Sequence, residues 1–235
     1  MNLILLFPED IVGTNRAQLA GRRLKHVLEV HRAGVGDELA VGMVNGAVGA
    51  GKVAEISEGG MTMELLLDRQ PPAPAPVTMI LALPRPKVLR RVLFSCAVLG
   101  VKKIVLINSF RVEKSYWQTP FLRDEEVRRQ LVLGLEQAKD TVLPEVLVRK
   151  QFKPFAEDEL PALVRTTVPL LSHPYAEQPC PRGVSGHVTL GVGPEGGFIP
   201  YEVEKFSAAG FTAVSLGPRV LNIETAVPTL LAMLR

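Results

Sequence analysis

Val188-Thr189-Leu190-Gly191-Val192-Gly193-Pro194-Glu195-Gly196-Gly197-Phe198 is the stretch whose reading decides the fold. Residues 188–192 form a short apolar run suited to a buried strand, and residues 201–209 carry a helical period. The glycine-rich turn between them meets the G-x-G-x-x-G spacing of dinucleotide-binding loops. That reading fails on three counts. The fingerprint belongs at the first strand of its domain, and this one lies near the C-terminus. Glu195 would put a carboxylate where a pyrophosphate must approach. Some way on, where an acidic ribose ligand should stand, the chain reads Val214-Ser215-Leu216-Gly217. Two readings remain: a tight strand–helix turn without a ligand, or a loop that brings bare backbone against a ligand carrying no phosphate.

A second motif follows the next strand, at residues 213–216: Ser215-Leu216-Gly217-Pro218-Arg219-Val220-Leu221-Asn222-Ile223-Glu224-Thr225-Ala226. Gly217-Pro218 marks a sharp turn, and a last helix is expected from about 224. Two glycine-bearing loops at the carboxyl ends of neighbouring strands are where open α/β sheets bind ligands. Working outward, strands are expected at 77–83, 103–107, 145–148 and 168–171, with helices at 88–99, 124–138 and 157–165. Buried strands alternating with helices mean a mostly parallel sheet covered on both faces.

Residues 71–76 hold four prolines, a stiff linker that neither helix nor sheet accommodates. Residues 1–70 ahead of it read differently: a strand at 1–7, a basic helix at 16–31, and strands at 38–41, 47–56 and 61–67. That pattern predicts a small β-barrel carrying one helix, so the expected domains are 1–70 and 77–235 about a 71–76 linker.

The chain has 235 residues, 47% of them hydrophobic and 22% charged, with a formal charge of +3. Its basic residues cluster. Arg85, Lys87, Arg90, Arg91, Lys102, Lys103, Arg111 and Lys114 are opposed only by Glu113 between Pro84 and Lys114. Arg16, Arg22, Arg23, Lys25 and Arg32 are opposed only by Glu29. Both clusters suit a polyanionic partner or plain solvated faces. Cys96 and Cys180 show neither metal nor redox spacing, and no run is long and apolar enough for a membrane span or a signal segment. A cytoplasmic protein with no metal and no membrane is expected.

The pair "GVGPEGGFIPYEVEKFSAAGF" and "VSLGPRVLNIETA", with "LALPRPK", "LGVKKIVLINSFRVEK", "LEQAKDTVLPEV" and "KHVLEVHRAGVGDELAVG", resembles the RsmE-type 16S rRNA uracil-N3 methyltransferases of the SPOUT class. The resemblance covers nearly the whole chain. It implies a C-terminal trefoil knot, a PUA-like RNA-binding N-terminal domain, a homodimer, and S-adenosyl-L-methionine as cofactor. It places that cofactor among Ser172 and His173, then Gly191, Gly193, Pro194, Glu195, Gly196 and Gly197, then Leu216, Gly217, Arg219, Val220 and Leu221, closed by Thr225 and Ala226. Candidate catalytic residues are Glu224, Glu195 and Asn222, with Glu195 alternatively organising its loop. Arg22, Arg23, Lys25, Arg32, Arg85, Lys87 and Arg111 are the candidate contacts to 16S rRNA in the small ribosomal subunit. The chain departs from the family pattern at Asn222 and Ile223, where a basic residue and a threonine are usual. It departs again at Asp140, in place of arginine, and at Ser95 and Val98, in place of lysine and glutamate. These departures keep open the same chemistry on another RNA base, or a ribosome-assembly protein that binds cofactor without turnover. A nicotinamide-dependent dehydrogenase is the least favoured reading.

Overall fold

The computed structural model describes residues 1–235, which divide into two compact units: residues 1–73 with 132–143, and residues 74–131 with 144–235.

The first unit contains β1 (Ile4–Leu6), β2 (Ile11–Gly13), β3 (Arg16–Leu19), α1 (Gly21–His26), β4 (Glu38–Met43), β5 (Val48–Ser57) and β6 (Gly60–Arg69). The strands form one sheet in the order β1-β4-β5-β6-β3-β2, in which β1 and β4 are parallel and the other pairs antiparallel. Irregular registers between β5 and β6 bend the sheet, as bulges do. Ile4, Leu6, Ala17, Leu19, Val41, Val53, Met61 and Met63 fill one core; Leu3 and Leu5 point the other way, onto Val132 and Leu135.

Residues 16–31 are not one helix. Arg16, Ala17, Gln18 and Leu19 alternate exposed and buried and pair with β6, a period-two pattern masked by four residues of good helix propensity. Gly21 then turns the chain at a φ of 60°, and the helical segment runs only from Gly21 to a wider turn at Val27–His31.

Glu136 is 1% exposed and takes both oxygens to Arg22, at 3.1 and 3.0 Å. Burial raises its carboxyl above the usual 4.5, and the Arg22 charge opposes that rise only in part. A raised acid contributes stability below 4.5 that is lost as pH rises through the folded-state value. Glu136→Gln should therefore lose less stability than wild type between pH 4.5 and neutrality, read from thermal unfolding across pH; parallel curves would remove Glu136 as the titrating group.

The second unit contains β7 (Val77–Ala82), α2 (Pro86–Val98), β8 (Lys103–Ile107), the start of α3 (Asp124–Ala138), β9 (Glu145–Arg149), α4 (Phe152–Pro154), α5 (Leu160–Val164), β10 (Val168–Ser172), β11 (Val188–Val192), α6 (Pro200–Ala208), β12 (Thr212–Val214) and α7 (Ile223–Met233). The last residues of α3, from 132, belong to the first unit. Six parallel strands lie in the order β12-β10-β11-β7-β8-β9. Every residue of β7 and β11 is buried, which is why both read as unbroken apolar runs. The helix expected at 157–165 begins earlier, at Phe152, and contains a wide turn over Phe155–Glu159. The order matters for function. The chain lays down β7, β8 and β9 in one direction, and the later strands fall on the opposite side of β7. Because all six strands are parallel, their carboxyl ends share one edge, and the reversal opens a crevice there. No helix is long and apolar enough to cross a membrane.

Candidate functional site

At that edge lies a cleft of about 580 Å³, within the range of small-molecule sites. Its first wall is the turn after β10, Ser172-His173-Pro174-Tyr175. Its second is residues 192–198 after β11, and its third residues 216–223 after β12, with Ala226 of α7 and Arg111 completing it. Each of the residues expected at the cofactor lines it except Gly191 and Thr225. Gly191 is a packing residue: a Cβ there would sit 2.8 Å from Leu171 Cδ1 and near Phe206 and Phe211. Thr225 donates its backbone N–H to Asn222 Oδ1 at 2.8 Å, inside the first turn of α7.

The glycine turn is held open by aromatic packing. A Cβ on Gly193 would meet the Phe198 ring at 3.2 and 3.3 Å, and Phe198 is itself wedged against Phe206, ring centroids 5.1 Å apart. Gly197 has a φ of 72°, which a side chain would strain. Glu202 anchors the far side. Its buried carboxylate accepts the Ile199 N–H at 3.0 Å, capping α6, and the Phe110 N–H at 2.7 Å. The neighbouring residue, Arg111, lays its stem on Gly196 and donates from Nη1 to the Gly196 carbonyl. The loop after β8 thus braces the loop after β11.

The two candidate carboxylates differ in their surroundings. Glu195 lines the cleft, and its Oε1 accepts the Arg85 backbone N–H at 2.9 Å. Arg85 is held protonated first by its hydrogen bond with Tyr116, and further by Glu195. Glu224 does not line the cleft: Arg91 of α2 binds both its oxygens, at 2.8 and 2.9 Å. Asn222 does line it, but its side chain caps α7. Both cysteines are buried, which pushes the Cys96 thiol up to about 12 and Cys180 upward too, so neither supplies a ready thiolate.

The predicted RNA-contacting cations do not form one set. Arg23 is held between Asp10 and the Leu5 carbonyl, with 16% of its side chain exposed. Arg22 is tied to Glu136 but half exposed, Lys25 sits 3.9 Å from Glu29, and Arg32 is exposed at the end of its helical turn. Arg85 and Lys87 are exposed at the start of α2. Asp140 is 3% exposed and accepts the Val142 N–H, so the departure there serves a buried turn.

Sequence reasoning missed Pro174 and Tyr175 at the cleft, the bracing role of Arg111, and Glu202. Only Glu202 carried a local signal, as the acidic third residue after a Pro-initiated helix start.

A covered parallel sheet with a glycine-walled cleft at its carboxyl edge defines an α/β domain with a site of small-molecule size. Residues 71–235 match the RNA methyltransferase domain family, and the chain belongs to that family. It is 29% identical to the Treponema pallidum ribosomal RNA small subunit methyltransferase E, over 96% of this chain and 87% of that protein. To the Synechocystis protein of the same name it is 26% identical, over 98% of this chain and 76% of the other. The Neisseria gonorrhoeae ribosomal RNA small subunit methyltransferase E, solved with S-adenosyl methionine, shares the fold at a TM-score of 0.76 with 22% identity, over 99% of this chain and 95% of that one.

Proposed function

We propose that this chain transfers the methyl group of S-adenosylmethionine to N3 of a uridine in 16S rRNA of the small ribosomal subunit. The observation that carries the reading is the cleft: the loops after three successive strands converge there, and nearly all the residues expected at a cofactor line it. Its size and walls suit a nucleoside joined to an amino acid. Leu216, Leu221 and Ile223 would flank an adenine ring, Arg219 would face the carboxylate of the methionine portion, and Gly193 and Gly196 would let backbone approach.

When bound, the sulfonium supplies an electrophilic methyl group, so no covalent intermediate on the protein is required. The chain must orient the acceptor, exclude water and remove the N3 proton. Glu195 is the carboxylate lining the cleft; the Arg85 N–H fixes Oε1, and we assign Oε2 as the proton acceptor. Glu224 acts instead as a brace, fixing α7 to α2 through Arg91.

In the same reading the bent N-terminal sheet is a PUA-like barrel, and the C-terminal segment is a trefoil knot, a rare topology. The bonds from Gly183 and Val184 to Met233 and Leu234 support the knot, since they bring the connection before β11 against the end of the chain. A cytoplasmic homodimer completes the proposal. Lys25, Arg32, Arg85 and Lys87 are exposed cations for the RNA backbone; Arg22 and Arg111 are exposed too, but already bonded to Glu136 and the Gly196 carbonyl.

The test is methyl transfer from labelled cofactor to small ribosomal subunits lacking N3-methyluridine, with the modified base identified by mass spectrometry. Label in N3-methyluridine is expected. Glu195→Gln keeps an acceptor for the Arg85 N–H but takes up no proton. It should lower kcat by about 10²- to 10⁴-fold and leave cofactor affinity unchanged; an undiminished rate would remove Glu195 as the base. Label in another base would move the target. A second reading, cofactor binding without turnover, is favoured by one observation: the Asn222 side chain, at a position usually basic in the family, is engaged in capping α7. Cofactor binding without transfer would select it.

A further inference from the structure

Tyr175 and Arg111 line the cleft but stand outside the set of residues expected at the cofactor. Tyr175 lines the cleft yet is 81% exposed, and Val220 across the third loop is 68% exposed. Tyr175 is not a loose side chain. The His173 ring meets it edge-on, centroids 6.0 Å apart at 66°. The Tyr175 backbone N–H donates to His173 Nδ1 at 3.3 Å, and the Ala176 N–H to the His173 carbonyl at 3.1 Å. With Nδ1 accepting that N–H, Nε2 is the ring's available donor. Arg111 lines the same cleft, and Phe110, next to it, is 78% exposed.

An exposed aromatic face held against a ring N–H donor, with a guanidinium group nearby, is the kind of surface that recognises an unpaired nucleobase on a phosphate backbone. Tyr175 combines a place in the cleft's first wall with a largely exposed side chain. We infer that Tyr175 is the platform on which the acceptor base stacks, and that the RNA is single-stranded or unstacked there. A base within a duplex has no free face to offer. The inference rests on the RNA-methylation reading, and its test separates the two.

The probe is a fluorescein-labelled twelve-nucleotide oligouridylate, titrated by anisotropy against the full-length protein, Tyr175→Ala and Tyr175→Phe. Cofactor affinity is measured in parallel by calorimetry. Loss of one base–aromatic stack should weaken oligonucleotide binding about 5- to 150-fold in Tyr175→Ala. Tyr175→Phe should stay near wild type. The salt slope should not change, because no charge is removed, and cofactor affinity should be unaltered. The inference is overturned by wild-type affinity in Tyr175→Ala, by an equal loss of cofactor affinity, which would make Tyr175 a cofactor wall, or by a wild-type protein that does not bind the oligonucleotide. A wild type that binds RNA through Tyr175 but methylates no small subunit upholds the platform and removes the methyl-transfer reading.

Discussion

Gly193→Val should give a folded protein whose affinity for S-adenosylmethionine has fallen about 10- to 100-fold, the scale of overpacking a close-fitted site. A Cβ at Gly193 lands 3.2 Å from the Phe198 ring and 3.4 Å from the Phe198 backbone nitrogen. Phe198 has little room to retreat. It is 5% exposed and packed at a tilt against Phe206, which meets Phe211 in turn at a centroid distance of 5.0 Å. The γ-methyl groups must therefore enter the cleft or push the second wall into it. Calorimetry with the cofactor, beside a melting curve showing the fold intact, decides the matter. Unaltered affinity in a folded variant would sink the assignment of this loop to the cofactor.

The second large effect is on stability. Asp10→Ala should destabilise the protein by about 3–5 kcal/mol, because it leaves a mostly buried guanidinium without its counter-charge. Asp10 accepts Arg23 Nη1 and Nη2 at 2.6 Å each, as well as the Phe7 N–H at 2.7 Å, while Arg23 lies over the Phe7 ring. Arg23→Ala should be comparably severe, and Arg23→Lys should not rescue it, since an ammonium lacks the planar fork. Replacing both partners, as Asp10→Leu with Arg23→Met, should recover much of the loss. Thermal unfolding of the four variants reads this directly; a mild Asp10→Ala would show the pair to be solvated. For RNA binding, Arg23→Ala is consequently a poor probe of the basic cluster, and Lys25 and Arg32 are better ones.

What was legible in the sequence was local. The runs at 77–82, 103–107 and 188–192 are strands because parallel strands buried on both faces must be apolar throughout. The two glycine-bearing motifs mark loops because few other residues fit those turns, and both face the cleft. Where local signals competed, the reading slipped. Residues 16–19, Arg-Ala-Gln-Leu, are all good helix formers, but their alternation matches the pairing surface offered by β6. Gly191 looked like part of the ligand loop, yet its missing side chain makes room for Leu171.

By itself the sequence determined much of the alternation of strand and helix, and the two motifs, because hydrophobic period and turn chemistry act over a few residues. Tertiary structure alone decided which distant groups meet. Arg111 reaches Gly196 from a loop 85 residues earlier, Glu195 takes the backbone N–H of Arg85, and Glu224 is claimed by Arg91. Strand order brings those loops to one edge, and no local pattern encodes that order. The roles of Glu195 as a candidate base, Glu224 as a brace and Tyr175 as an exposed face follow from partner and burial, which exist only once the chain has closed on itself.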